Sequence, residues 1–148
     1  MRGNQTAWSI MTATVANHAA IDPNLALVID DDADLRQFIA TTLKQLGMRV
    51  AHFEMAKDAL ASLNNVHPAI IFLDVALLRS DAIDVLRGLG ERRYSGTVQL
   101  MSGGRPSLLE AVQRIGVRHG INLAVPLNKP FTRDTIARTV EIFNANDA

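Results

Sequence analysis

Four short stretches carry residue types that could do chemistry together. Asp30, Asp31 and Asp32 follow an apolar run, and Asp74 ends another, Ala69-Ile70-Ile71-Phe72-Leu73. Ser102, Gly103 and Gly104 follow Thr97 to Met101, and Lys129 precedes Pro130 near the end of the chain. If these stretches converge, three carboxylates meet, and they repel and raise one another's pKa unless a cation is present. A hard divalent ion with oxygen ligands, kept partly hydrated, answers that need, and Mg2+ fits best. Lys129 would add a point positive charge, Ser102 a hydroxyl donor, and Gly103 an unobstructed backbone N–H. Such a set stabilises charge on a phosphoryl group attacked by a carboxylate. Asp74 is the central carboxylate and so the expected nucleophile.

Each feature also has a plainer reading. An aspartate after a strand often caps the next helix, which is the expected role of Asp32 and a competing one for Asp30 and Asp31. A Lys-Pro pair is commonly a solvated turn, and Ser-Gly-Gly a loop. The joint pattern is what favours chemistry, because each feature follows a different predicted strand.

The elements must therefore bring those strand ends together. Leu25 to Ile29 reads as a strand buried on both faces. Leu35, Ile39, Leu43 and Leu46 recur at helical spacing up to Gly47. Met48 to Phe53 reads as a second strand, Ala56 to Leu63 as a short helix, and Ala69 to Leu73 as a third strand. Asp81 to Leu89 predicts a helix, Thr97 to Met101 a fourth strand, and Pro106 to Gly120 a helix with proline in its first turn. Asn122 to Val125 predicts the fifth strand, and Thr132 can cap a last helix carrying Ile136, Val140 and Phe143 inward.

Five strands alternating with five helices imply an α/β fold with a doubly wound parallel sheet and helices on both faces. Ligands of such sheets sit at the carboxyl ends of the strands, where all four stretches fall. Residues 1–24 are expected to be an extension, partly disordered or weakly helical, ahead of a domain over 25–145 and a tail at 146–148. The chain has 148 residues, 48% of them hydrophobic, enough for one core. Fifteen basic and fifteen acidic residues balance, so composition offers no case for nucleic-acid or membrane binding. Without cysteine there are no disulfides and no thiol chemistry, which fits a reducing cytoplasm. No apolar run approaches the roughly 18 to 20 residues that span a bilayer. His18, His52, His67 and His119 share no metal-pair spacing and are expected to be structural or solvated. Arg87, Arg92 and Arg93 read as a solvated helix end.

On Val28-Ile29-Asp30-Asp31-Asp32, Ile71-Phe72-Leu73-Asp74, Leu100-Met101-Ser102-Gly103 and Asn128-Lys129-Pro130-Phe131, the chain resembles the response-regulator receiver family. The resemblance covers about residues 25–145 and implies a flavodoxin-like sheet of strand order 2-1-3-4-5. It implies that Asp74 is the phosphoacceptor and a metal ligand, Asp31 a direct ligand, and Asp30 a ligand mainly through water. The backbone carbonyl of Ala76 would complete the Mg2+ shell. Ser102, Gly103 and Lys129 would bind the phosphoryl group, and the Lys129–Pro130 bond would be cis. The implied partners are a histidine kinase or histidine phosphotransfer protein, a downstream protein and, on the face between the fourth and fifth helices, a second copy.

Departures from the family pattern are Leu78 for a usual proline, Ala82 for a usual glycine, and Pro126 where many receivers carry an aromatic switch. The stretch from Ser102 to Lys129 looks about five residues longer than in compact receivers. Ala76 and Gly104 are too small to contact an attacking water. The leading expectation is a stand-alone phosphorelay receiver. The alternatives are a pseudo-receiver that binds partners without phosphorylation, and a small hydrolase of the same fold acting through Asp30. The absence of GxGxxG and GxxxxGK[ST] speaks against a nucleotide-binding protein.

Overall fold

The central strand of the chain is apolar up to its final aspartate, and it is buried over its whole length. In the computed structural model, which describes residues 21–77 and 82–147, this strand, β3 (Pro68–Asp74), lies between β1 (Asp22–Ile29) and β4 (Thr97–Ser102). β2 (Arg49–Phe53) flanks β1, and β5 (Asn122–Leu123) with β6 (Leu127–Asn128) forms the opposite edge on β4. All pairings are parallel, giving the order 2-1-3-4-5 with the fifth position in two pieces. Helices α1 (Ala33–Gln45), α2 (Ala56–Ser62), α3 (Ala82–Glu91), α4 (Pro106–Arg118) and α5 (Arg133–Asp147) complete the fold.

The period of two along each strand divides the core into two layers. Leu27, Ile29, Ile71, Leu73, Val98 and Leu100 pack with residues of α2, α3 and α4. Ala26, Val28, Ile70, Phe72 and Met101 point the other way, against Ile39 and Leu43 of α1 and Ile136 and Val140 of α5. A one-residue slip of any strand would exchange these layers, so register is strongly specified.

Local chemistry sets the helix ends. Asp32 accepts from the N–H groups of Asp34 and Leu35 at 3.0 and 3.2 Å and so caps α1, as expected. At its other end Gly47 takes a φ of 91°, with Gly47 N–H on Lys44 O and Met48 N–H on Leu43 O. That pair of bonds is a Schellman closure, and it keeps Met48 out of β2. Thr132 Oγ1 accepts from Thr135 N–H at 3.3 Å and caps α5. The helix continues to Asp147, so the expected tail at 146–148 is helical as far as it is described.

Two strands depart from expectation. β1 begins at Asp22 rather than Leu25, because Asp22 N–H bonds His67 O at 2.7 Å and its carboxylate pairs with Arg49. The ladder shifts between Asp22 and Ala26, where Pro23 has no N–H to give. The fifth strand does not run through Val125. Val98 pairs with Leu123 and Met101 with Leu127, so one extra residue sits on the edge, a bulge that includes Pro126. Buried Gln99 closes the gap: its amide donates to Val125 O at 2.6 Å. The expected extension lies largely in residues 1–20, and Leu78 and Asp81 in 78–81, outside the described residues.

At the amino ends of the strands, Tyr94 donates its hydroxyl to Pro68 O at 2.9 Å. A Cβ at Gly96 would sit 2.2 Å from that hydroxyl, so the ring needs glycine beneath it. Burial pushes the Tyr94 phenol well above its ordinary range. The folded chain then holds this proton more tightly than the unfolded chain. The stabilisation is full below about pH 10, the unfolded value, and is lost as pH rises through the folded value. Tyr94 is the sole tyrosine, so alkaline phenolate absorbance reads it alone. Absorbance and circular dichroism should change together on unfolding; phenolate forming near pH 10 with native dichroism would contradict this. Tyr94→Phe is expected to cost about 1 kcal/mol in chemical denaturation.

Candidate functional site

Register alone brings the expected residues together. Ile29 pairs with Leu73, so Asp30 and Asp74 leave adjacent strands side by side. Asp74 pairs with Met101 and Ser102 with Asn128, so Ser102 and Lys129 follow one step further along the same edge. Backbone bonds tighten this: Val75 N–H donates to Met101 O at 3.0 Å, and Lys129 N–H to Ser102 O at 2.7 Å. The Lys129–Pro130 peptide is cis, as expected.

One carboxylate oxygen from each of Asp30, Asp31 and Asp74 lies within 4.8 Å of the others. Lys129 reaches into this group, with Nζ 2.9 Å from Asp30 Oδ2 and 3.4 Å from Asp74 Oδ2. Asp30 is fully buried, and Asp74 and Ser102 are buried. Asp30 Oδ1 accepts from Asp32 N–H at 2.9 Å, and Asp74 Oδ1 from Ala76 N–H at 3.0 Å. The second bond holds the peptide of Ala76 beside the carboxylate. A Cβ at Gly103 would meet nothing within 4 Å, so the space above the end of β4 is open to a ligand.

Electrostatics follow from burial. Loss of water raises the pKa of Asp30, and the bonds from Lys129 and Asp32 only partly offset it, while the charge of Asp74 adds to the rise. Burial alone would lower the pKa of Lys129, but the bond and charge of Asp30, followed by the influence of Asp74, raise it overall. Lys129 therefore stays cationic while its carboxylate partners are crowded. Asp30, Asp31 and Asp74 are hard oxygen donors on separate chain segments, a set that suits a partly hydrated divalent cation.

Sequence reasoning missed Arg36. Its Nη1 donates to Asp30 O at 2.7 Å and its Nε to His52 Nδ1 at 3.1 Å, tying α1 to the end of β1 and to β2. Its position six residues after Asp30 is a weak signal, since any arginine in the second turn of α1 would match. Partial burial, then the charges of Arg36 and Lys44, lower the pKa of His52. Arg87 pairs with Asp84 at 3.3 Å and Arg92 returns to Gly88 O at 3.1 Å, in keeping with a helix end.

The family model for the response regulator receiver domain matches residues 26–141. The chain belongs to this family. Among curated relatives, Protein PilG of Pseudomonas aeruginosa is 28% identical over 123 residues, covering 82% of this chain and 91% of that protein. The DNA-binding response regulator MtrA of Mycobacterium tuberculosis is 29% identical over 122 residues, and the chain spans only 51% of it. Among solved structures, the receiver domain of NtrX from Brucella abortus is 28% identical with a TM-score of 0.68, covering 79% of this chain and 95% of that one. The receiver fold and its strand order are thus those expected. None of the described helices is long and apolar enough to cross a membrane.

The balance at Asp30 makes a stability prediction. Its burial outweighs the help from Lys129, so Asp30→Asn should stabilise the metal-free protein by about 1 kcal/mol, the size of gain usual when a functional-site conflict is relieved. Asparagine keeps one acceptor oxygen, for Asp32 N–H, and Lys129 retains Asp74 Oδ2 at 3.4 Å. Urea unfolding with a chelator present measures this, and a loss of stability would show that the ion pair dominates instead.

Proposed function

We propose that this receiver takes a phosphoryl group on Asp74 from a histidine kinase or a histidine phosphotransfer protein, with Mg2+ in the acidic cluster. The observation that carries the reading is the convergence of Asp30, Asp31 and Asp74 within 4.8 Å, with Lys129 bridging Asp30 and Asp74. Asp30, Asp31, Asp74 and the Ala76 carbonyl would hold the ion. When bound, it supplies positive charge against the carboxylates and the phosphoryl oxygens.

In the transfer, a carboxylate oxygen of Asp74 attacks phosphorus, the bond from phosphorus to the donor imidazole nitrogen breaks, and that nitrogen keeps the electron pair, the proton on the ring's other nitrogen leaving the imidazole neutral. The products are an acyl phosphate and a free imidazole. Lys129 meets one phosphoryl oxygen, and Ser102 with the Gly103 N–H meets others, in a partly buried site where such contacts are strong. Hydrolysis returns inorganic phosphate and the carboxylate. Ala76 and Gly104 offer the attacking water no side-chain contact. The chain's catalysis is confined to its own phosphorylation and dephosphorylation, and the signal passes by protein–protein contact.

The output path differs from an aromatic relay. Pro126 cannot flip as a ring would, and Gln99 holds the adjacent Val125 carbonyl. The acyl phosphate would shift a two-state surface around α4, β5 and α5, starting from Ser102 and the backbone of Lys129.

Acetyl phosphate with Mg2+ should add one phosphoryl mass to the intact chain, and none to Asp74→Ala; equal labelling of that variant would sink the assignment. Mg2+ at about 100 times its dissociation constant should stabilise the fold by about 2.7 kcal/mol. Asp31→Asn should lose most of that gain in thermal unfolding. A fold indifferent to Mg2+ in the millimolar range would instead favour a binding module that works without phosphorylation.

A further inference from the structure

One polar atom of Asp30 is answered from outside the acidic site. Asp30 stands just past the last residue of β1 with no exposure to water, so each of its polar atoms needs a partner within the fold. Its N–H donates to Phe53 O at 3.1 Å, Oδ1 accepts from Asp32 N–H at 2.9 Å, and Oδ2 accepts from Lys129 at 2.9 Å. Its carbonyl lies beyond the β1 ladders and accepts from Arg36 Nη1 at 2.7 Å. That carbonyl belongs to the peptide joining Asp30 to Asp31, two of the three acids in the cluster. Turning this peptide would move both side chains, so one bond from Arg36 acts on two carboxylates. The charges that act on the Asp30 carboxyl are those of Asp74 and Lys129, so Arg36 works there by direction and not by charge.

The guanidinium is itself held. Its Nε donates to His52 Nδ1 at 3.1 Å, reaching from α1 to the edge strand β2. Both bonds use donors of one rigid plane, so fixing Nε fixes the direction of Nη1. Arginine has no acceptor, so this bond requires His52 Nδ1 to be unprotonated. By the period of two, His52 shares with Val50 the face toward α1. Ala51 and Phe53 pack on the other face with Ala56 and Ala59 of α2, whose charged residues are Lys57 and Asp58. β1 sets uncharged Val28 opposite His52. Partial burial, then the cations Arg36 and Lys44 of α1, favours the neutral ring.

We infer that Arg36 is a positioning residue for the acidic site, aimed by neutral His52 and acting through the Asp30–Asp31 peptide. An imidazolium has no lone pair at Nδ1 and repels the guanidinium. Protonation of His52 therefore releases Arg36 and loosens the two acids, and the outer edge of the sheet is connected to the site by two hydrogen bonds.

The positioning is read first in the metal-free protein, independently of Mg2+ binding and of phosphorylation. In NMR spectra the Asp30 carbonyl carbon and the Asp31 amide nitrogen should shift as pH falls below about 6.5, the ordinary histidine value, with the same midpoint as the His52 ring. His52 is exposed, so its variants leave the core intact. His52→Asn keeps an acceptor near the place of Nδ1 without titrating; it should retain the Arg36 Nε–H signal and lose the pH step. His52→Leu should lose that signal at every pH. A step that persists in His52→Asn, or Asp30 and Asp31 signals indifferent to Arg36→Ala, would overturn the inference. The effect on the ion rests on the Mg2+ reading proposed above. By calorimetry, Arg36→Ala and Arg36→Lys should each weaken Mg2+ binding about 10-fold, since lysine keeps the charge but not the planar fork, while His52→Asn binds normally at neutral pH. Full affinity in Arg36→Ala would also overturn the inference. No binding by the unaltered chain would count against the Mg2+ reading alone, and the metal-free spectra would then decide.

Discussion

The ammonium of Lys129 among buried carboxylates is the interaction on which the site depends. Asp30 has no exposure to water, and Asp74 almost none, so their charges cannot be left to solvent. Lys129 answers both at once, 2.9 Å from one and 3.4 Å from the other. It remains insufficient for Asp30, whose pKa stays raised by burial. A divalent cation in the acidic cluster, as proposed above, would offset that deficit. The same deficit separates function from stability, because the most stable version of this site would carry fewer acids.

Everything around that interaction serves to aim it. Arg36 holds the carbonyl of Asp30 while Asp32 caps α1, so two aspartates of one short run are given different surroundings. Parallel pairing brings strand ends to one edge, and strand register decides which side chains arrive level with one another. Lys129 depends on the edge strand, which is itself irregular. Its backbone N–H meets Ser102 O only because one residue is taken up by the bulge between Leu123 and Leu127. Gln99 stabilises that irregularity from inside the sheet. The edge is thus a place where the shape of the site is set by one backbone feature.

Much of this was legible from residue types. Apolar runs ending in aspartate, serine or lysine named the strands and the site together, and the helix caps at Asp32, Gly47 and Thr132 followed from local chemistry. Boundaries were less legible. Asp22 joins β1 through His67 and Arg49, both distant in sequence, and Met48 is held by the end of α1. Asn122 to Val125 looked like one strand because pattern reading does not sense a register shift. Arg36 and Gln99 were invisible for a related reason: their partners are backbone carbonyls brought near only by folding.

The sequence by itself determined the succession of strands and helices, the acidic, hydroxyl and amino groups at the strand ends, and so the receiver resemblance. Those properties rest on hydrophobic periodicity and capping, which act over a few residues. Only the tertiary structure decided that Lys129 touches Asp30 more closely than Asp74, that Asp30 is the deeply buried acid, and that Pro126 breaks the edge strand. Each of these depends on register and burial, which arise when distant segments pack, and no local pattern of residues encodes them alone.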